Sequence, residues 1–348
     1  MKYPLSKWTT LRVVALALCG AALLAGCGSS GGGAGTAGGG TSTGGKTLRV
    51  GLVSSIGGIN DRGFNQLSNL GMQEAQRQLG VRTRVLVSST NADYVPNLVS
   101  LAQQHYDLVV GVGFDMADAV GTVAARFPQT KFAIVDTSQT AVPGRLRNVT
   151  GLVFKQEQAG YLAGYAAGLW AKAHGAKVVS SVGGMALPPV VAYIAGYRAG
   201  AQAADPGVQV LNGYSQDFAD QAKCKEIALN QIAQGSKVVF AVAGGCGLGA
   251  VDAAGEQHVE AIGVDADQGY LGPQVLTSAV KKVDTAIVQA VQKLQGGTLR
   301  GGTDTVFDLR NHGVGLGRFA AGEARIEQAV AKIQRKLEAG GGASIPTR

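Results

Sequence analysis

The residues able to hold a small molecule sit just after short apolar runs. In Ile59-Asn60-Asp61-Arg62-Gly63-Phe64-Asn65, amides, a carboxylate and an aromatic ring stand ahead of a helical stretch. Asp61 is either a cap for the backbone N–H groups that open that helix or an acceptor for a ligand. Phe64 lies at the junction, outside the apolar stripe, where a ring can stack on a planar molecule. In Gly113-Phe114-Asp115-Met116-Ala117-Asp118, Gly113 and the preceding Gly111 permit close backbone approach, and Phe114 is a further candidate wall. Asp118 can accept from N–H donors or serve as a cap or solvated acid. Later, Gly244-Gly245-Cys246-Gly247-Leu248-Gly249-Ala250 would turn backbone N–H groups of Gly244 and Gly245 toward a hydroxylated ligand. In Gly263-Val264-Asp265-Ala266-Asp267-Gln268, Asp265 can grip two vicinal hydroxyls. In the following Thr277-Ser278-Ala279-Val280-Lys281-Lys282, Lys281 is read as the ammonium beside it and Lys282 as solvated.

Other chemistries are poorly served. The four histidines, His105, His174, His258 and His312, are scattered away from these stretches, and there is no H-E-x-x-H or Cys/His cluster. Asp265 and Asp267 have no further acids nearby to complete a hydrolytic metal site. The P-loop pattern of Gly40 to Thr47 follows a low-complexity run and precedes a strand-like segment, so it lacks the strand–loop–helix context that phosphate binding needs. Gly245, Gly247 and Ala250, with Asp265 beyond, form a partial dinucleotide fingerprint, but late in the chain rather than at the first turn. No catalytic residue, cofactor or metal is expected.

These stretches need a frame. From residue 47, strand-like and helix-like segments alternate: strands at 48–53, 84–87, 107–112 and 131–136, with helices at 64–79, 94–105 and 118–126 between them. The series restarts with strands at 149–154, 177–182, 208–211, 237–242 and 261–264 and helices at 157–173, 190–204, 220–233 and 247–257. Such alternation predicts an α/β fold of two Rossmann-like lobes with parallel sheets, joined by a hinge that the chain crosses several times. The expected lobes are 47–150 plus about 265–300, and 151–264 plus about 301–340. Ligands bind at the carboxyl ends of strands in such sheets, where the stretches above lie, and hinged lobes can close on them.

The first residues read as an export signal. Lys2, Lys7 and Arg12 precede an apolar run too short to span a bilayer, which takes about 20 residues. Leu24-Ala25-Gly26-Cys27 resembles a lipobox, in which the Cys27 thiol is acylated and the peptide bond before it is cut, removing residues 1–26. Residues 27–46, Gly-rich, would tether the body to a membrane. Without residues 1–26, 28 Lys and Arg remain against 23 Asp and Glu, a net charge of +5, scattered rather than gathered into the patch a nucleic acid would require. Cys224 and Cys246 remain in the folded part, and the sequence leaves open whether they pair.

Taken in order, Gly63-Phe64-Asn65, Gly113-Phe114, Val153-Phe154-Lys155-Gln156-Glu157-Gln158-Ala159-Gly160-Tyr161-Leu162, Gly183-Gly184-Met185, Ala243 to Gly249, Gly263 to Gln268 and Thr277 to Lys281 resemble the basic membrane protein family of lipoproteins. This is the purine nucleoside receptor A-like group, of periplasmic-binding-protein type I fold, and the resemblance covers about residues 48–295. It implies a monomeric substrate-binding lipoprotein of an ABC importer, with a nucleoside between the lobes and a membrane permease as partner. The base would stack on Phe64 and on a second ring, placed at Phe218. Asn65 and Asp118 would read the base edge, and Asp265 and Lys281 would hold the ribose. A serine usual in the family's first loop is missing from Asp61-Arg62-Gly63-Phe64-Asn65. A flavin, a sugar or a signalling molecule is the alternative ligand.

Overall fold

The computed structural model describes residues 47–341 and 344–348; the expected signal peptide, Cys27 and the tether lie outside them. The first series runs β1 (Arg49–Val53), α1 (Phe64–Leu79), β2 (Arg82–Leu86), α2 (Tyr94–Gln103), β3 (Leu108–Val112), α3 (Ala117–Arg126), β4 (Lys131–Val135) and β5 (Val149–Phe154). The second runs α4 (Gln156–Ala173), β6 (Val178–Gly183), α5 (Pro188–Ala204), β7 (Gln209–Tyr214), α6 (Gln221–Ala233), β8 (Ser236–Val242), α7 (Gly247–Glu256), β9 (Glu260–Asp265) and β10 (Val275–Lys281). The chain ends with α8 (Val283–Gln295), β11 (Thr303–Phe307), β12 (Val314–Leu316) and α9 (Ala324–Glu338).

Local chemistry accounts for many of these boundaries. β3 is a continuous apolar run buried on both faces, as parallel strands under two helical layers are. α1 stops where Gly80 turns into the left-handed region at φ 65°. α5 opens on Pro188-Pro189, where a missing N–H costs nothing. α4 and α5 lie unusually close together: a methyl on Gly164 would overlap the Tyr197 carbonyl, so only glycine allows the approach. That contact seats α5, and with it Tyr193, against the second lobe.

Two six-stranded sheets result. The first has the order β11-β5-β4-β3-β1-β2 and the second β12-β10-β9-β8-β6-β7, so one repeats the other position by position. All neighbours are parallel except β12, which runs antiparallel to β10. The chain passes between sheets after β5, after β10 and between β11 and β12. This corrects the expected lobe boundaries. β5 belongs wholly to the first sheet, β10 pairs with β9 in the second, and β11 pairs with β5 in the first. Placing 265–300 in the first lobe holds only for its helix, since α8 packs on α1. Placing 301–340 in the second fails for β11 but holds for β12 and for α9, which packs on α4. A strand's hydrophobic pattern records that it is buried, not which sheet receives it.

Candidate functional site

The carboxyl ends of both sheets face a cavity of about 500 Å³. At its base lies a buried ion cluster. Lys281, the last residue of β10, puts Nζ 2.6 Å from Asp136 Oδ2 and 3.2 Å from Asp265 Oδ1. Asp136 follows β4 and Asp265 ends β9, the same position in the two repeated sheets. Both adopt the left-handed backbone, each at φ 63°, a conformation that asparagine and aspartate tolerate best among residues with a Cβ. Gln156 Nε2 donates to Asp136 Oδ1 at 2.9 Å, and the Tyr193 hydroxyl lies 3.5 Å from Asp265 Oδ1. Because all three ions are buried, their charges interact through a medium far less screening than water.

Burial alone would lower the Lys281 pKa, but Asp136 and Asp265 more than offset this and hold it above the ordinary lysine value. Burial raises the Asp136 carboxyl; Lys281 opposes that, and Asp265 adds to it. The cluster carries one ammonium against two carboxylates. Rings enclose it: Lys281 Nζ lies 4.4 Å from the centre of Phe64, 5.6 Å from that of Tyr193 and 5.7 Å from that of Phe154.

The walls above the cluster come from loops after the strands. From the first lobe, Ser55, Ile56, Phe64, Asn91, Phe114 and Asp115 line the cavity; from the second, Met185, Val190, Gln216, Asp217, Phe218 and Gly244 do. Asp61 lines it too, and its carboxylate takes the N–H groups of Gly63, Asn65 and Gln66 at 2.9–3.0 Å. It therefore caps the start of α1 from two residues before the N-cap Gly63, one of the two roles that the sequence left open. Desolvation raises its pKa, against the pull of those N–H groups. The Asn65 amide fixes the preceding loop: Oδ1 accepts from Ser55 N at 3.2 Å and Nδ2 donates to Ile56 O at 3.2 Å.

Of the residues picked from sequence, Asp61, Phe64, Asn65, Phe114, Phe218, Gly244, Asp265 and Lys281 meet around this one cavity. Gly245 is buried just behind the lining. Asp118 is not there: it sits in the first turn of α3, exposed, opposite the buried face of Ala117, Val120 and Ala124. Asp115, one helical turn earlier, lines the cavity in its place and accepts from the Tyr94 hydroxyl at 2.6 Å. Desolvation raises its carboxyl, and that hydroxyl opposes the rise. Asp136 was missed altogether. The available signal was the repeat itself, Val135-Asp136 closing the fourth strand of one series as Val264-Asp265 closes that of the other.

The lobes also touch at the cavity rim. Gln268 is buried; its Oε1 accepts from Val264 N at 3.0 Å, and its Nε2 crosses to Arg62 O at 3.1 Å. Cys224 and Cys246 form a disulfide, which settles the pairing left open. No helix among the described residues is long and apolar enough to cross a membrane.

Comparison with known proteins agrees with this architecture. A family model described as ABC transporter substrate-binding protein PnrA-like matches residues 49–341. The ABC transporter nucleoside-binding protein BmpA of Lactococcus lactis is 34% identical, with 95% of this chain and 97% of that protein covered. Basic membrane protein D of Borreliella burgdorferi is 32% identical over 75% of this chain and 76% of its own length. Among solved structures, an ABC transporter solute-binding protein from Aeropyrum pernix K1 superposes with a TM-score of 0.77 at 25% identity, covering 86% of this chain and 94% of that one.

Proposed function

The chain belongs to the family of PnrA-like ABC transporter substrate-binding proteins, and from that premise we propose that it captures a nucleoside between its lobes and presents it to a membrane permease. The observation that carries the reading is the composition of one cavity: the Phe64 and Phe218 rings and a buried Asp136–Lys281–Asp265 cluster line the same space. Rings stack on a flat base. Carboxylates accept from the hydroxyls of a ribose while the ammonium donates to their oxygens.

In this reading Phe64 and Phe218 hold the base, Asp115 accepts from its N–H edge, and Asp265, Asp136 and Lys281 hold the sugar. Gly244, whose turn lies close to Phe218, brings backbone near the ligand. The nucleoside-binding name of the Lactococcus relative supports the ligand class. Cys27 carries the lipid that keeps the protein at the outer face of the membrane, in keeping with relatives named as lipoproteins.

A thermal-shift panel of nucleosides, free bases, riboflavin and sugars tests the reading, since a ligand that binds only the folded form raises its melting temperature. Purine nucleosides are expected to give the largest shift. A clear shift with another class and none with nucleosides overturns the assignment. Chromatography after incubation checks the family's binding role: the nucleoside is recovered unchanged.

A further inference from the structure

Phe218, the aromatic wall of the second lobe, rests on weak local support. Its loop, residues 215–220, joins β7 to α6, and β7 is the edge strand of its sheet. Only Cys224, Ala228 and Gln231 of α6 are buried. The fully buried members of the core beneath α6 and α7 are alanines, valines and the two cysteines, and its larger side chains, Ile227, Leu229, Ile232 and Leu271, are only partly buried. Little apolar surface therefore holds this corner in place.

The Phe218 ring lies flat on the chain at Gly184, where a methyl group would overlap it. The Phe218 carbonyl accepts from Cys246 N at 3.0 Å; Ser215 N donates to the Gly183 carbonyl and Gln216 N to that of Gly184, both at 2.9 Å. Cys246 immediately follows the Gly244-Gly245 turn at the cavity, and Cys224 lies in the first turn of α6, six residues beyond Phe218. The bridge spans 5.6 Å between Cα atoms, and both cysteines are fully buried. It thus joins the base of the Phe218 loop to the turn on which that loop lies.

We propose that Cys224 and Cys246 are a positioning pair for ligand binding, the covalent clamp that holds Phe218 over the Gly244–Gly245 turn. Neither sulfur touches the ligand; the pair acts through Phe218. The inference rests on the nucleoside reading for its ligand, though not for the clamp itself. It also ties full affinity to an oxidising compartment, where such a bond persists.

The test compares the oxidised protein with Cys224→Ala/Cys246→Ala and with Cys224→Val/Cys246→Ala, which refills the core without a bond and serves if the alanine pair does not fold. Calorimetry with adenosine and guanosine is expected to show about 10-fold weaker binding in both variants, the loss of one well-placed stack. In a Phe218→Ala background, removing the bridge should change affinity less than twofold, because the group it positions is already gone. A general loss of fold would weaken binding equally in both backgrounds. Hydrogen exchange of residues 215–220 in ligand-free protein should accelerate when the bridge is absent. Full affinity and unchanged exchange in the valine variant overturn the clamp. If no nucleoside binds the oxidised protein, the functional reading fails while the exchange measurement still decides whether the bridge holds the loop.

Discussion

Replacing Lys281 with methionine is the sharpest test of the buried cluster. The aliphatic stem keeps its place among Phe64, Phe154 and Tyr193, but the ammonium that faces two carboxylates at 2.6 and 3.2 Å disappears. Asp136 and Asp265 are then left as like charges, the side chains of both buried. Removing one partner of a buried ion pair costs about 3–5 kcal/mol, because the remaining charge keeps its desolvation penalty. At roughly 2–4 °C per kcal/mol, the melting temperature at pH 7 should fall by about 6–20 °C. Losing the lysine removes the pull that opposes the raised pKa of Asp136. The deficit should therefore shrink as the pH falls and protons neutralise that carboxylate. Urea unfolding of Lys281→Met, of Asp136→Asn/Asp265→Asn and of the triple variant decides the matter. In the doubly neutralised background, Lys281→Met should cost far less than in the wild type. Equal costs in the two backgrounds would refute the argument that charge, rather than packing, makes Lys281 necessary.

Among the described residues, Asp61, Asp115, Asp136, Asp217 and Asp265 line the cavity against one cation, Lys281, which is already paired. A nucleoside 5′-monophosphate should therefore bind about 100-fold more weakly than its nucleoside in calorimetry; equal affinity would contradict this charge balance. Gln268→Glu keeps the acceptor for Val264 N but sets a carboxylate against the Arg62 carbonyl across the lobes. Stopped-flow release of a bound nucleoside should be about 10-fold faster, and an unchanged rate would mean that the rim bond does not hold the lobes closed. Burial, and next the Glu323 carboxylate, push the Glu260 carboxyl up to about 6, with His174 pulling it back. A raised acid contributes stability below its unfolded pKa, near 4.5 for glutamate, and loses it as the pH rises through about 6. Glu260→Gln should therefore stabilise the protein by about 1 kcal/mol at pH 8, after allowance for solvent screening, and by little at pH 4.5. No difference between the two pH values would refute it.

What was legible in the sequence follows from what is local. Apolar runs and helical spacing marked the β–α alternation, and glycine and proline marked many of the turns. Because ligands gather at strand ends, Phe64, Asp265 and Lys281 could be picked out one by one. The late strands were misassigned because pairing joins residues far apart: β11 lies beside β5 only after the chain has crossed to the second lobe and back. Asp118 and Asp115 are three residues apart in one helical entry, and composition does not say which carboxylate turns inward.

The sequence by itself determined the elements, the repeat of the α/β pattern and the residue types available at each strand end, since these depend on neighbours within a few positions. Only the tertiary structure decided that Asp136 and Asp265 converge on Lys281, that Gln268 reaches Arg62, and that Cys224 meets Cys246. Those pairings are set by how two sheets face each other, and the electrostatic energy of the cluster exists only once that approach has excluded water from all three charges.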